Sequence, residues 1–423
     1  MVGSRFIIDS EIVKRVLVFN TVLVLIFCNY SMLTRDTLYH VPEEALIAVL
    51  FGSCALCSVI DGFRFVKRYF YILVYSVLLI LLMLIIALII NRGVIVGLNS
   101  VFFPMLSYAL LFKEKENVDR FWLMFADFVV VLAILSLILY LGGTVFGILS
   151  PNRIAQYIYA GHIRQCKVYL NIQYESQSVD VTSGLIFGNY RNCGFFIEGT
   201  MFSSLLSIAL GVELSFRKKR KLINIIILVI TIITTFSTTG YIVLIVAAGM
   251  SMMIYTSQDN SKLKYVLKKL LIPFNIVLVF FLISYSVAEK QKSISGVNSY
   301  NIRMDHLLGG LRMLKDSPLI GIGYLQDSFM EYVKYKQGAS MGLPIFLGRN
   351  GLFLFLLYFV PLFAGIRYAL VYKQKYIYFF VICFVTLLFT AITEKPIMSA
   401  VIWTQIALLI NEEESVFIDK KYV

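Results

Sequence analysis

The run 70–90, FYILVYSVLLILLMLIIALII, constrains this chain more than any other stretch. It carries no charge and is long enough for a helix to cross a bilayer, which takes roughly 20 apolar residues. In lipid each backbone N–H and C=O needs an internal partner, so such a run reads as a helix. Scanning for comparable runs yields twelve candidate spans, near 16–33, 44–60, 70–90, 94–112, 121–141, 195–214, 222–239, 240–256, 270–288, 351–371, 376–393 and 396–411. With 59% hydrophobic residues, 15% charged residues and a mean hydropathy of +0.82, the chain is too apolar for a soluble globular domain. The expected fold is an all-α polytopic membrane protein of about 12 transmembrane helices, a single transmembrane domain over 1–423.

Lysine and arginine positions set the expected orientation. With the N-terminus in the cytoplasm, the basic groups Lys14/Arg15, Arg64/Lys67/Arg68, Lys113/Lys115/Arg120, Arg217 to Lys221, Lys262 to Lys269, Arg367 to Lys375 and Lys420/Lys421 all fall inside. The short outer turns keep only Arg35, Arg92 and Lys395. Both termini are therefore expected in the cytoplasm. The non-membrane mass gathers outside in two long external segments, 142–193 and 289–350. The formal charge of +13 is spent on topology, and no nucleic acid is expected as a partner. The seventh and eighth spans almost fuse, and Ser237-Thr238-Thr239-Gly240 supplies the turn between them. The Cys54-x-x-Cys57 pair on an apolar helix reads as packing, and Cys166 and Cys193 of the first external segment are expected to stay unpaired. No cleavable signal peptide is expected.

Charge is scarce, so its concentration in Asn301–Tyr324, NIRMDHLLGGLRMLKDSPLIGIGY, points to chemistry. An amphipathic helix is expected over about 301–315, advancing ~100° per residue. Met304, Leu307, Leu308, Leu311 and Leu314 then share one face, which should rest on protein or on the membrane surface. Asp305, Arg312 and Asp316 fall opposite, with Arg312 and Asp316 spaced for an i,i+4 ion pair. Arg303 lies at the edge of the apolar stripe, with His306 beside it. Pro318, Gly321 and Gly323 end the helix in a tight return.

The first external segment ends in Gly188–Glu198, which runs into the sixth span. Arg191 is placed at the outer boundary and Glu198 about two turns deeper, if the helix has already begun there. Asp127, in the fifth span, reads as helix packing. Two arginines on separate outward segments suit a phosphate or pyrophosphate, because guanidinium is a permanently charged planar fork. Tyr190 and Tyr324 are candidate sugar-stacking rings, and Arg312 and Arg349 add positive charge for the substrate. There is no P-loop, no Asp-x-Asp pair, no Gly-x-Ser-x-Gly elbow and no histidine cluster with zinc spacing among His40, His162 and His306. The residue set fits transfer from a phosphate-activated lipid better than hydrolysis at a serine or metal centre.

Arg191-x-x-Gly194-x-Phe196-x-Glu198, ahead of a span and after a long outer loop, resembles the R-x-x-G-x-F-x-E/P signature of bacterial O-antigen and capsule polymerases and the related O-antigen ligases. Arg303, followed by a helix and Pro318-x-x-Gly321-x-Gly323, resembles their second signature. The resemblance implies a GT-C-like, metal-independent glycosyltransferase of the bacterial cytoplasmic membrane, without cofactor, acting on its outer side. The donor and acceptor it implies are glycans on undecaprenyl diphosphate, with membrane lipid around them and a chain-length regulator protein as a further partner. By resemblance, Arg191 and Arg303 hold the donor diphosphate, while Asp305, His306 and Glu198 are the candidates for the base that accepts the acceptor proton. The ligases resemble one another in an outer His-Asn before the tenth span. Here the region reads Met341-Gly342-Leu343-Pro344-Ile345, which favours a polymerase over a ligase. A transporter or lipid-linked glycan flippase is the rival of another class, although the two halves of the chain show no repeat.

Overall fold

A computed structural model describes residues 10–62, 65–89, 101–159, 162–178, 190–219, 221–257, 294–323, 326–335, 342–371, 376–390 and 395–421. The apolar runs are helices, as the backbone requires: α1 Ser10–Phe27, α2 Met32–Arg35, α3 Glu43–Ile60, α4 Lys67–Ile89, α5 Phe103–Leu111 and α6 Lys115–Leu139, the last continuing through a π-turn, Tyr140–Val145. After a small sheet come α7 Gly199–Ser215, α8 Leu222–Thr234, α9 Thr238–Ser257, α10 Ile294–Asp316, α11 Gln326–Tyr332, α12 Gly342–Val371, α13 Ile377–Phe389 and α14 Pro396–Lys421. Helices stand at the expected spans except the ninth, 270–288, which lies outside the described residues, as does 94–100 of the fourth. Among the described residues, Glu43–Ile60, Lys115–Val145 and Gly342–Val371 are long and apolar enough to cross a membrane, and five shorter apolar helices accompany them. The chain is a mostly helical membrane protein.

The segment 142–193 adds a feature to the helical expectation. Arg153–Tyr159 (β1), His162–Tyr169 (β2) and Gln173–Tyr174 (β3) form an antiparallel sheet in the order β1-β2-β3, with Ala155 facing Cys166 and Tyr157 facing Arg164 across the first pair. Ala155, Tyr157, Cys166 and Val168 alternate with exposed residues, the period of a half-buried strand. The sheet docks on the loop after α1: Thr37 donates to the Gln156 carbonyl, and Arg153 pairs with the fully buried Asp36.

Helix α7 is the centre of the bundle. All its residues from Gly199 to Ser215 are buried except Thr200 and Leu214, so neighbouring helices cover it on every side. It packs against α6, α8, α9 and α13. Small residues permit the close approach: a Cβ on Gly240 of α9 would lie 2.3 Å from Ser203 Oγ. Gly240 is therefore a helical contact residue, not part of the reversal. The turn between α8 and α9 is made at Thr235-Phe236, with Phe236 left-handed at φ 50, and Ser237 Oγ accepts from Gly240 N at 3.4 Å.

Charges concentrate at the two ends of the bundle. At one end Lys14 meets Asp61 at 2.6 Å and Arg120 bridges Glu11 and Glu116, while Arg217 ties Glu213 to Asp127. Asp127 thus joins α6 to the end of α7, the packing role expected of it. At the sheet end, Arg35 and Lys395 converge on one carboxylate. Glu43 lies 2.8 Å from Lys395 and 3.2 Å from Arg35, with the Lys395 ammonium 4.3 Å over the Tyr30 ring. Lys395 is buried, so Glu43→Gln would strand an ammonium. Because the Glu43 side chain itself is 34% exposed, the expected loss is about 2 kcal/mol, below the 3–5 kcal/mol of a fully buried pair, and thermal unfolding in detergent measures it.

Candidate functional site

The first arginine motif is an extended segment and a turn before α7. Arg191 N donates to Gln177 O at 3.0 Å, and Asn192 is pinned to the end of α8 by bonds from its backbone N to Thr234 O and from Nδ2 to Thr234 Oγ1, both 3.0 Å. Gly194 adopts φ 53, a left-handed turn that a side chain would strain, and its carbonyl accepts from Tyr174 N. Phe196 is fully buried and stacks on Phe202, 5.5 Å between ring centroids. The Arg191 stem runs past Gly199, where an added Cβ would sit 3.5 Å from Arg191 Cβ and 2.7 Å from Thr235 O. The Arg191 Nε is buried and, among the described residues, has no hydrogen-bond partner. Half-buried Tyr190 pairs with Ser178 in a β-bridge, and its carbonyl accepts from Tyr140 Oη at 3.0 Å.

Glu198 does not lie two turns into the helix. The helix begins at Gly199, and Glu198 is its extended N-cap at φ −140, ψ 144, so the carboxylate stands at the mouth of the span. There the helix N-terminus favours a negative charge.

The second motif is built around α10. Its docked face differs from the expected one. His306, Gly309, Gly310 and Met313 are buried, whereas Met304, Leu308 and Leu311 are 38–48% exposed. Close backbone approach decides this: a Cβ on Gly310 would fall 2.4 Å from Pro344 O, and one on Gly348 would fall 2.7 Å from Gly310 O. The aliphatic stripe is left to the surroundings, with half-buried Arg303 on the same helix.

Three sequence candidates on α10 are committed to packing. Asp305 Oδ2 accepts from the backbone N–H groups of Lys334 and Tyr335 at 2.6 and 2.9 Å. His306 is fully buried, edge-on to Phe329 at 5.4 Å, with Nε2 3.4 Å from Tyr335 O. Arg312 and Asp316 do not pair as expected; Arg312 donates to Tyr332 O at 3.1 Å and Asp316 accepts from Tyr332 Oη at 2.8 Å, so both grip α11. Tyr324 lies outside the described residues.

Burial holds the His306 imidazole below its ordinary value of 6.5, against the opposing Tyr335 carbonyl and Asp305. Between that value and the lowered folded one, the unfolded chain binds the proton more tightly. The contribution to stability is therefore present above about pH 6.5 and is lost as pH falls. Acidifying from pH 7.5 to 5.5 should lower the Tm of the wild type more than that of His306→Phe; equal slopes would show that the ring does not titrate.

After α10 the chain folds back onto α12. Gly321 and Gly323 take φ 69 and 84, and Gly351 takes φ 68, ψ −176, breaking α12 between Asn350 and Leu352. Ile322 N and Gly323 N donate to the carbonyls of Gly348 and Arg349, while Leu352 N and Phe353 N donate to those of Pro318 and Leu319. The turn and the break are one joint. It fixes Arg349, whose guanidinium lies 5.1 Å over the Phe329 ring. The break and the short helix before it were missed from sequence; the signal available was Gly348-Arg349-Asn350-Gly351, two glycines flanking two polar residues.

Contacts between helices bring the Arg191–Glu198 segment and the Gly351 joint to one end of the bundle. Tyr358 Oη lies 3.4 Å from Ser399 Oγ and Gly365 faces Gln405, so the later part of α12 runs parallel to α14. Lys395, just before α14, is bound to Glu43 beside Tyr30, and Tyr30 O accepts from Ile197 N. The Gly351 joint and the Arg191–Glu198 segment thus share the sheet end. All six cysteines are free and buried, and burial pushes the Cys193 thiol up to about 11. Among the described residues no group of three His, Cys, Asp or Glu side chains could hold a metal ion.

Residues 223–347 match the family model described as O-antigen ligase, which supports membership of the O-antigen polymerase/ligase superfamily. The match takes in α10 and the Pro318–Gly323 turn, and ends before Arg349. No curated protein and no solved structure matches the chain.

Proposed function

We propose that this member of the O-antigen polymerase/ligase superfamily is a polysaccharide repeat-unit polymerase. It moves a growing glycan from undecaprenyl diphosphate to the next lipid-linked repeat unit, on the outer side of the bacterial cytoplasmic membrane. The observation that carries this reading is Arg191: a guanidinium whose buried Nε finds no described partner, on a segment at the same end of the bundle as the Gly351 joint. Buried polar groups are normally satisfied, so this open donor is a place where a ligand oxygen can bind. A diphosphate supplies acceptor oxygens for two arginine forks.

In the transfer, the acceptor hydroxyl oxygen bonds to the anomeric carbon as the bond from that carbon to the diphosphate oxygen breaks. Arg191 and Arg303 take up the negative charge that develops on the departing diphosphate. The hydroxyl proton goes to a base. Asp305 and His306 are engaged in docking α10, so Glu198 is our assignment for this role, partly exposed at the start of α7. Tyr190 and Arg349 are proposed to line the substrate path, and a chain-length regulator protein is a proposed partner.

Purified protein in proteoliposomes, given lipid-linked repeat units, should produce a ladder of glycans. The ligase reading rests on the description of the matching family, and would instead give single transfers to lipid A-core. Movement of the lipid-linked unit across the bilayer with no covalent product would favour a flippase and overturn the enzyme reading.

A further inference from the structure

Beside the Arg191 segment, an open cavity of about 530 Å³ lies between strand β2 and residues 175–178, and its lining includes Tyr157, Arg164, Lys167, Glu175, Ser178 and Tyr190. Glu175 is the unusual member. Its side chain is 5% exposed, Oε1 accepts from Tyr169 Oη at 2.9 Å, and Oε2 is buried with no hydrogen-bond partner among the described residues. The nearest cation, Lys167 Nζ, is 4.0 Å from Oε2, too far for a hydrogen bond, and its side chain is 58% exposed and free to swing. A group seated about 2.8 Å from both atoms would close this gap, provided that it donates to the carboxylate and accepts from the ammonium. A phosphate diester only accepts, and a metal cation would be repelled by Lys167. A hydroxyl does both.

The wall is also joined to the first motif through one residue. Gln177 O accepts from Arg191 N at 3.0 Å, and Gln177 Oε1 accepts from Gly199 N at 3.2 Å. A polyhydroxylated ligand in the cavity would therefore lie one residue away from the Arg191 segment.

We propose that this cavity is a saccharide subsite, in which a sugar hydroxyl bridges Glu175 and Lys167 and holds the glycan chain beside the transfer site. The inference rests on the polymerase reading for the identity of the glycan, and its test reads binding without transfer. The full-length protein in nanodiscs would be titrated with oligosaccharides released by mild acid from the surface polysaccharide of the strain that encodes it, with maltoheptaose as an unrelated neutral glycan. Saturation-transfer NMR and calorimetry are expected to show binding of the strain's oligosaccharides, weakened at least tenfold in Glu175→Gln and at least threefold in Lys167→Ala. The lysine variant keeps the test valid if Glu175→Gln folds poorly, because an exposed side chain is dispensable for folding.

Absence of binding, or affinities unchanged in both variants, overturns the subsite. Equal binding of maltoheptaose, unaffected by either substitution, also overturns it. A protein that polymerises without binding free glycan loses the subsite alone. One that binds with the expected variant effects, yet makes no ladder, keeps the subsite and loses the polymerase reading.

Discussion

Arg303→Ala is expected to cut glycan-ladder formation by about 10²–10³-fold, the loss seen when one preorganised donor to a developing negative charge is removed. That corresponds to about 3–4 kcal/mol of transition-state stabilisation. Arg303 is half-buried on a helix whose docking also involves Gly309, Gly310, Met313, His306 and Asp305, so Tm is measured beside the rate to separate loss of transfer from loss of fold. Arg303→Lys should restore only part of the rate, because an ammonium is a point charge without the planar fork that grips two oxygens. The rate is measured on lipid-linked repeat units in proteoliposomes. A ladder of more than a third of wild-type yield in the alanine variant would remove Arg303 from the site.

The second large effect is structural. Gly351→Ala is expected to destabilise the protein by about 4–5 kcal/mol and to abolish transfer with it. The backbone there, φ 68 and ψ −176, belongs to a region used almost only by glycine, and an added Cβ would meet Leu319 O at 2.4 Å. Steric overlap in a closely packed joint adds to that strain. Gly321→Ala should behave alike, its Cβ falling 2.1 Å from Arg349 O at φ 69. Both variants would uncouple the Pro318–Gly323 turn from α12, and with it the seat of α10 and Arg303. Thermal unfolding in detergent, read beside surface expression, tests this. A Gly351→Ala protein within 1 kcal/mol of wild type would show that the joint can relax without cost.

The two variants separate the uses of one motif. On the proposed reading its arginine serves the ligand; its glycines let two backbones touch. From sequence alone, Pro318-x-x-Gly321-x-Gly323 suggested only a tight return. The four backbone hydrogen bonds between that return and the break in α12 reveal what the return docks against.

Much of this protein was legible without coordinates, because the properties involved are local. A run such as 70–90 must satisfy its backbone internally whatever surrounds it, so length and polarity alone located α4, α6, α7 and the later part of α12. The candidates Arg191, Glu198 and Arg303 stood out for a similar reason, as charges and glycines at fixed spacing in a chain poor in charge.

Tertiary structure decided which candidates were still available for chemistry. Asp305 and His306 looked like proton acceptors until Lys334, Tyr335 and Phe329, some 23 to 30 positions onward, were found to engage them. Arg312 and Asp316 suited each other by helical spacing, yet Tyr332 binds both. The start of α7 at Gly199 moved Glu198 from the interior of a span to its mouth. The orphan oxygen of Glu175 in the sheet cavity was invisible in the chain, because an unmet hydrogen bond is defined by everything that packs around it. Sequence periodicity reports which face of a segment is apolar; only the packed structure settles which polar atoms are consumed and which are left open, since burial and partnership depend on residues far away along the chain.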